Sequence, residues 1–422
     1  MNEAAERLET RESRPADPRK VVVLRDRYQT SFMTPRASRH RIVRKPFVPF
    51  NYVSSSFDGF TTTGPSFGTH LTHAHNRIPL GARRSIMSFE SHMPRLFGIR
   101  ESGVLHNMLE RHLLSPSCRR IVGMSHFAKR IFLDQHRELS PEKLDILKSK
   151  LMVRHPSVEL VSREDTYDAA TDTGPLKLVF VGGHFARKGG CVAVEIARKA
   201  HARGLPVEVT IISAMGMGES VWTDPTLPGA LDAYTSGPDL PNLTMMGAQP
   251  NNVVRQLFAE SHFGLLPTIA DTFGFSAIEC MAEHTPMIVT KSGALPEFVS
   301  DGENGLHLDL DVTPAGEWAG LDYGNRHTAA YAEQFRNMID DLAEQSLKRL
   351  VPYLDDRTLL VPMRRAARQT VEDMFDAKRA GQAWDALYDR VIAEDAQSEV
   401  RLDPELDWSA PERWPGAQQH TN

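Results

Sequence analysis

The sequence predicts an α/β protein of two doubly wound domains, on three observations. Strand-sized apolar runs alternate with helix-sized amphipathic stretches, a glycine-rich turn directly follows one of the strands, and 422 residues exceed one ordinary core. The hydrophobic fraction of 41% and charged fraction of 24% are those of a folded globular chain, so wholesale disorder is excluded.

Along the chain, residues 1–18 read as a disordered leader, and KVVVL (20–24) as the first buried strand. A Ser/Thr/Gly-rich loop follows, then the strand-loop unit LTHAHNRIPL, the strand SIMSF, and helices expected at 104–115, 125–137 and 141–149. LMVRHP (151–156) closes a first domain over 19–158. The polar stretch 159–175 reads as a linker that flexes. A second domain over 176–362 begins with KLVFV and continues with strands VEVTII, NLTMMG, FGLLP, MIVT and GLHLDL. Helical patterns at 189–203, 251–260 and 275–284 separate them. One further helix, interrupted by Gly381, is expected at 363–395, before a loose tail over 396–422.

Charge is unevenly divided. Residues 1–160 hold 27 Lys and Arg against 15 Asp and Glu, an excess of +12; the rest of the chain holds 22 against 39, an excess of −17. Clusters such as Arg36, Arg39, Arg41, Arg44 and Lys45, with Arg83, Arg84, Arg119 and Arg120, suit an anionic acceptor or peripheral contact with an anionic membrane, or else a merely solvated basic surface. Nucleic acid is not an expected partner, because no recognition motif accompanies the basic residues. The opening MNEAAERLETRESRPADPRK has no apolar stretch, and no run approaches the roughly 18 apolar residues of a membrane span, so a cytoplasmic location is expected. Cys118, Cys191 and Cys280 form no C-x-x-C pair and read as buried thiols.

Two segments carry chemistry. FVGGHFARKGG (180–190) places four glycines with Arg187 and Lys188 between a strand and a helix, where backbone amides and two cations suit a diphosphate; a plain basic βα turn has the same composition. It is neither a P-loop nor a well-placed G-x-G-x-x-G. In ADTFGFSAIECMAEHTPMIVT (270–290), Asp271 stands at the mouth of a helix and Glu279 two turns along it. The pair suits sugar hydroxyls and phosphate, or serves only as a cap and a surface acid.

Together with SGALPEFVSDGENGLHLD, these segments in this order resemble the nucleotide-binding domain of the retaining glycosyltransferases of family 4, which have the GT-B fold of two Rossmann-like domains facing a cleft. The resemblance is specific over 176–310 and weaker from VGMSHFAKRIF (122–132) to the last helix. It implies transfer of a sugar from a nucleotide-diphosphate donor to a glycan, lipid-linked or small-molecule acceptor, with retention and no bound metal. The nucleotide-sugar is then a substrate and no cofactor is needed. By the resemblance Lys188 binds the donor diphosphate, Asp271 and Glu279 are the acidic pair, and Gly182, Gly183, Thr268, Thr272, Phe273, Gly274 and Phe275 contribute to donor binding, with residues 293–297 nearby. Arg187 replaces an arginine the family usually has where this chain has Gly183, and Asp271 replaces a usual glutamate. In the first domain the family's Gly-Gly loop is absent from RDRYQTSFMTP, and Glu90 stands where the family often has a histidine. His73, His75, Glu90 and His92 are expected sugar or acceptor contacts, and His73-x-His75 has no evident third metal ligand. Asp309-Leu310-Asp311 reads as a strand-to-loop transition. A GT-B epimerase or phosphorylase, or a non-catalytic nucleotide- or glycan-binding protein, are the rival functions.

Overall fold

The computed structural model describes residues 18–24, 33–46, 48, 50, 57–62, 68–96, 103–236 and 239–394. The expected leader up to residue 17, most of RDRYQTSFMTP and the expected tail lie outside the described residues. The chain divides into two compact units. One takes in the described parts of 1–123, 132–156 and 377–410, the other 124–131 and 157–376.

The first unit runs β1 (Lys20–Leu24), β2 (Arg41–Lys45), β3 (Phe60–Thr62), β4 (Leu71–His75), β5 (Ile78–Leu80), β6 (Ser85–Phe89), α1 (Val104–Leu114), β7 (Cys118–Gly123), α2 (His126–Gln135), α3 (Pro141–Lys148) and β8 (Leu151–Val153). The opening residues of α2 count with the second unit. Six strands form a parallel sheet in the order β2-β1-β4-β6-β7-β8, and β3 pairs with β5 separately. Val21, Val22 and Val23 are buried, as a central parallel strand covered on both faces requires. Lys150 stabilises the carboxyl end of α1, its Nζ donating to the carbonyls of Leu113, Leu114 and Ser115 at 2.8–2.9 Å.

The second unit runs β9 (Leu176–Val181), α4 (Gly190–Ala202), β10 (Val207–Ile212), α5 (Asp232–Thr235), β11 (Leu243–Met246), α6 (Asn251–Ala259), β12 (Phe263–Leu266), α7 (Phe275–Met281), β13 (Met287–Thr290), β14 (Gly305–Leu308), α8 (Ala329–Asp355) and α9 (Leu360–Met374). Its sheet is also six-stranded and parallel, in the order β11-β10-β9-β12-β13-β14. The core joins Leu178 and Phe180 of β9 to Val192 and Ile196 of α4 and to Phe335, Ile339 and Leu342 of α8. The chain returns to the first unit with α10 (Ala377–Ala393).

Three expectations change. The helix expected at 363–395 is two helices, α9 and α10, parted at Phe375-Asp376, while Gly381 lies inside α10. The stretch 159–175 is not free to flex as a linker but is fastened along the second unit: Arg364 donates to Asp165 (2.8 Å), His262 meets Asp172 (2.7 Å) and Arg163 faces Glu283 (3.3 Å). Arg119 and Arg120 do not belong to a basic surface. Both are buried in β7, Arg119 bonded to Glu394 Oε2 at 2.6 Å and Arg120 to Glu394 Oε1. All three cysteines are buried free thiols. Among the described residues no helix is long and apolar enough to cross a membrane.

Candidate functional site

In the second sheet, the chain leaves β9 toward β10 on one side and later places β12 on the other. The carboxyl ends of β9 and β12 therefore flank the topological switch point, where open α/β sheets leave a crevice for ligands. The two loops that open there are the glycine-rich loop 182–189 after β9 and the segment 267–274 after β12.

These loops are fitted together at backbone level. Gly189 has φ +96°, and a Cβ there would stand 2.5 Å from the Pro267 carbonyl oxygen, so only glycine permits the approach. The Ile269 N–H donates to the Arg187 carbonyl at 3.0 Å, and Thr268 Oγ donates to the same carbonyl at 3.1 Å. Thr268 is thus a buried brace between the loops. Arg187 reaches across to the Ala270 carbonyl and to His184 Nδ1 (2.9 Å). Gly182 is buried against Phe180 and Lys188, whereas Gly183 is exposed, and a Cβ there would meet no atom within 4 Å.

The charges converge at the next residue. Lys188 Nζ donates to Asp271 Oδ2 at 2.7 Å, with side chains only 19% and 10% exposed. Burial opposes ionisation of Asp271, but the charges of Lys188 and Arg187, the Lys188 hydrogen bond and the Thr272 N–H hold its carboxyl below the usual range. Asp271 is itself positioned from behind. Its N–H donates to Ser292 Oγ (3.2 Å), and Ser292 donates to the Gly316 carbonyl (2.6 Å). Gly293, at φ +58°, lets the backbone pass, since a Cβ would fall 2.0 Å from the Asp271 carbonyl oxygen.

Glu279 lies on α7 beside the buried Ile278 and Cys280, and its carboxylate makes no hydrogen bond or ion pair among the described residues. Burial raises its pKa, opposed by Lys188 and Arg255, so Lys188 is electrostatically coupled to both acids. At the entry to α7, Gly274 adopts a left-handed conformation with φ +92°. The backbone N–H of Thr272, one of the expected donor-binding residues, is taken by Asp271 Oδ1 at 2.9 Å. Phe273 is a core ring stacked on Phe298, with Phe275 tilted against it at 5.3 Å, so Phe273 offers no side chain to a ligand. Ser276 Oγ is buried with no partner among the described residues. Ser276 and Ser292 carried no motif, and only their places beside the acidic segment and residue 293 marked them.

Glu297 is committed elsewhere in the same unit. It accepts the N–H groups of His126 (2.9 Å) and Phe127 (2.6 Å), capping the start of α2. Burial pushes its carboxyl up to about 7 against those two bonds and Arg130. Asp309 follows the end of β14, is 85% exposed and pairs with Lys291 at 2.9 Å.

The first unit's own switch point lies between β1 and β4. His73 is fully buried, bonded to Tyr388 Oη (2.8 Å) and Ser88 (3.3 Å), which removes it from any surface a sugar could touch. His75 emerges at the end of β4, bonded to Ser88 Oγ (3.0 Å) and 3.6 Å from Glu90. Asn76, at φ +57°, donates to Glu90 at 2.8 Å. Burial opposes ionisation of Glu90, yet His75, Arg95 and Asn76 bring it down to about 2. His92 is half-buried beside Ser91, and burial with Arg95 lowers its pKa.

Two Rossmann-like units, each with a six-stranded parallel sheet, place the chain in the α/β GT-B fold class. Within it, residues 175–318, inside the second unit, match the family described as Glycosyl transferases group 1. The chain is similar to an uncharacterized glycosyltransferase, MJ1178, of Methanocaldococcus jannaschii, 21% identical over 62% of this chain and 67% of that protein. A D-inositol 3-phosphate glycosyltransferase of Segniliparus rotundus is 34% identical, over 16% of this chain and only 15% of its own length. Among solved structures, a glycosyltransferase from Rickettsia africae is 13% identical with a TM-score of 0.57, covering 90% of this chain and all of that one. HepE of Anabaena, solved with UDP, is 11% identical with a TM-score of 0.54, covering 88% of this chain and all of its own. At these identities the structural likeness is one of fold.

Proposed function

We propose that the protein is a retaining, metal-independent glycosyltransferase that moves a hexosyl group from a nucleotide-diphosphate sugar to a glycan or lipid-linked acceptor. The observation that carries this is the Lys188–Asp271 pair at the β9/β12 switch point, with the unpartnered Glu279 carboxylate on the adjoining helix. In this scheme the bond from the anomeric carbon to the diphosphate breaks with its electron pair on the phosphate oxygen. The acceptor oxygen bonds the same face of the sugar, and its proton leaves with the diphosphate. Lys188 commits one donor to Asp271, leaving two for the departing charge, which grows most in the transition state. Arg187 adds positive potential from its bridge to Ala270. Glu279 accepts from ribose or sugar hydroxyls, and the Gly274 region supplies backbone close to the diphosphate. The similarity to the glycosyltransferases of Methanocaldococcus jannaschii and Segniliparus rotundus, and to HepE solved with UDP, supports the same chemistry. A cytoplasmic location, with peripheral contact to an anionic acceptor or membrane, belongs to the same proposal.

The test is a thermal-shift screen of UDP, GDP and ADP with their sugars, followed by product analysis with acceptor in EDTA. A donor that binds only the folded state raises Tm. Transfer with an α-donor should give an α-product. Activity lost in EDTA and restored by manganese would refute metal independence, and an inverted product would refute retention.

A further inference from the structure

Trp222 and Tyr323 are among the large apolar side chains most exposed in the described residues, at 40% and 58%, and their rings stack on one another, centroids 5.7 Å apart and planes 28° apart. Exposed aromatics scattered singly need no explanation, but a stacked pair held rigidly does. Rigid support is present on both sides. Trp222 stands between buried Val221 and buried Thr223. Arg326 donates to the carbonyls of Val221 (2.7 Å) and Asp224 (2.9 Å), the Thr226 N–H donates to the Arg326 carbonyl (2.8 Å), and Tyr331 Oη donates to the Thr223 carbonyl (2.6 Å). These bonds weld the Trp222 loop to the turn that carries Tyr323. The phenol is fixed in turn by donating to Glu317 at 2.6 Å.

We propose that this pair is a docking platform for a neutral saccharide, separate from the nucleotide site but continuous with it. Continuity comes from Glu317, whose backbone bridges Ala270 antiparallel, and from the Trp318 N–H, which donates to the Ile269 carbonyl at 2.7 Å; Asp271 is the next residue along. The chemistry of the patch selects the occupant. The two exposed rings are stacked at 28° to one another, and an exposed aromatic face matches the C–H face of a pyranose; a cation is best held where rings surround it. Nearby carboxylates are already engaged: Glu317 takes the Tyr323 phenol, and Asp322 takes the N–H groups of Gly324 and Asn325 and the Asn325 side chain. Their remaining lone pairs accept hydroxyl donors, and the −17 balance of residues 161–422 disfavours an anionic chain. The inference needs no step of the transfer reaction, so it stands or falls apart from the donor-site proposal.

The experiment follows the Trp222 indole N–H in 15N-labelled full-length protein, assigned with Trp222→Phe, during titration with maltohexaose, cellohexaose and mannohexaose. At least one hexasaccharide should shift that resonance saturably, and Trp222→Ala and Tyr323→Ala should each weaken its binding by about fivefold or more, the scale of one aromatic contact. UDP titrated into the same samples reports the donor site separately; equal UDP affinity in wild type and variants, with unchanged Tm, shows that the fold is intact. The proposal is overturned if no hexasaccharide moves the indole signal. It is equally overturned if tetramethylammonium moves it and the sugars do not, or if the shifts track protein concentration because a second copy covers the rings.

Discussion

Removing the lysine of the Lys188–Asp271 pair strands an acid. At 2.7 Å the Coulomb attraction is about 1.5 kcal/mol in bulk water and about 6 kcal/mol at an effective dielectric of 20. With only 19% and 10% of the side chains exposed, the pair lies nearer the second limit. Deleting one partner of a fully buried pair costs roughly 3–5 kcal/mol. Here Arg187 still faces Asp271, so Lys188→Met should cost about 3 kcal/mol of stability, Asp271→Asn a similar amount, and the double variant clearly less than the sum. Urea denaturation of the four proteins closes the cycle, and a coupling of about 1.5–3 kcal/mol is expected. The pH dependence has a definite sign. Asp271 titrates below its ordinary 3.8 in the folded state, so its stabilisation is present above that value and is lost as pH falls through the native pKa. A coupling within about 0.5 kcal/mol of zero at neutral pH would refute the view that these side chains act as a pair.

Three other variants test separate parts of the molecule. Glu279→Gln keeps the size of an unpartnered carboxylate, so Tm should barely move while donor affinity, measured by calorimetry, falls by on the order of 1 kcal/mol. Arg187→Ala removes the bridge to Ala270 and His184; kcat should drop with little change in nucleoside binding, and wild-type kinetics would make Arg187 a turn residue only. His73 is held down to about 3 by burial, with His75, Arg44 and Arg154 adding to it. The unfolded chain therefore takes up a proton below about 6.5 that the native state refuses, and stability should fall between there and about pH 3, by about 1.4 kcal/mol per pH unit at most. His73→Gln should flatten that limb of a Tm-against-pH curve.

The second sheet was legible because its signals are local. Each of its six strands is an apolar run that ends in a turn, and the Lys188–Asp271 contact joins two loops that the strand order alone brings to one switch point. The 27-residue α8 was missed, because its buried positions, Phe335, Ile339, Leu342 and Leu350, are diluted by the charges of its outer face. The commitment of the Asp271 carboxylate to the Thr272 N–H and of Glu297 to the start of α2 was also invisible, since an acid serves a ligand or a local backbone N–H equally well.

In the first unit the decisive signals are paired with residues some 275 to 350 positions away. CRRIVG does not look like a central strand, because two adjacent arginines interrupt the apolar run; they are buried there only because Glu394, just after α10, takes both guanidinium groups. The neighbouring partners come from the same helix: Tyr388 accepts or donates to His73, and Asp385 receives the Arg39 N–H at 2.9 Å. Gly381 fits the same pattern, since a Cβ there would approach the Ala37 carbonyl at 2.7 Å. α10 and the residue that follows it therefore supply the partners of Arg119, Arg120 and His73 in the first sheet. Cutting the chain after Asp376 would leave Arg119, Arg120 and His73 without these partners, each loss on the scale of an uncompensated buried group. A protein truncated there should lose the first unit's cooperative unfolding while the second unit keeps its own core.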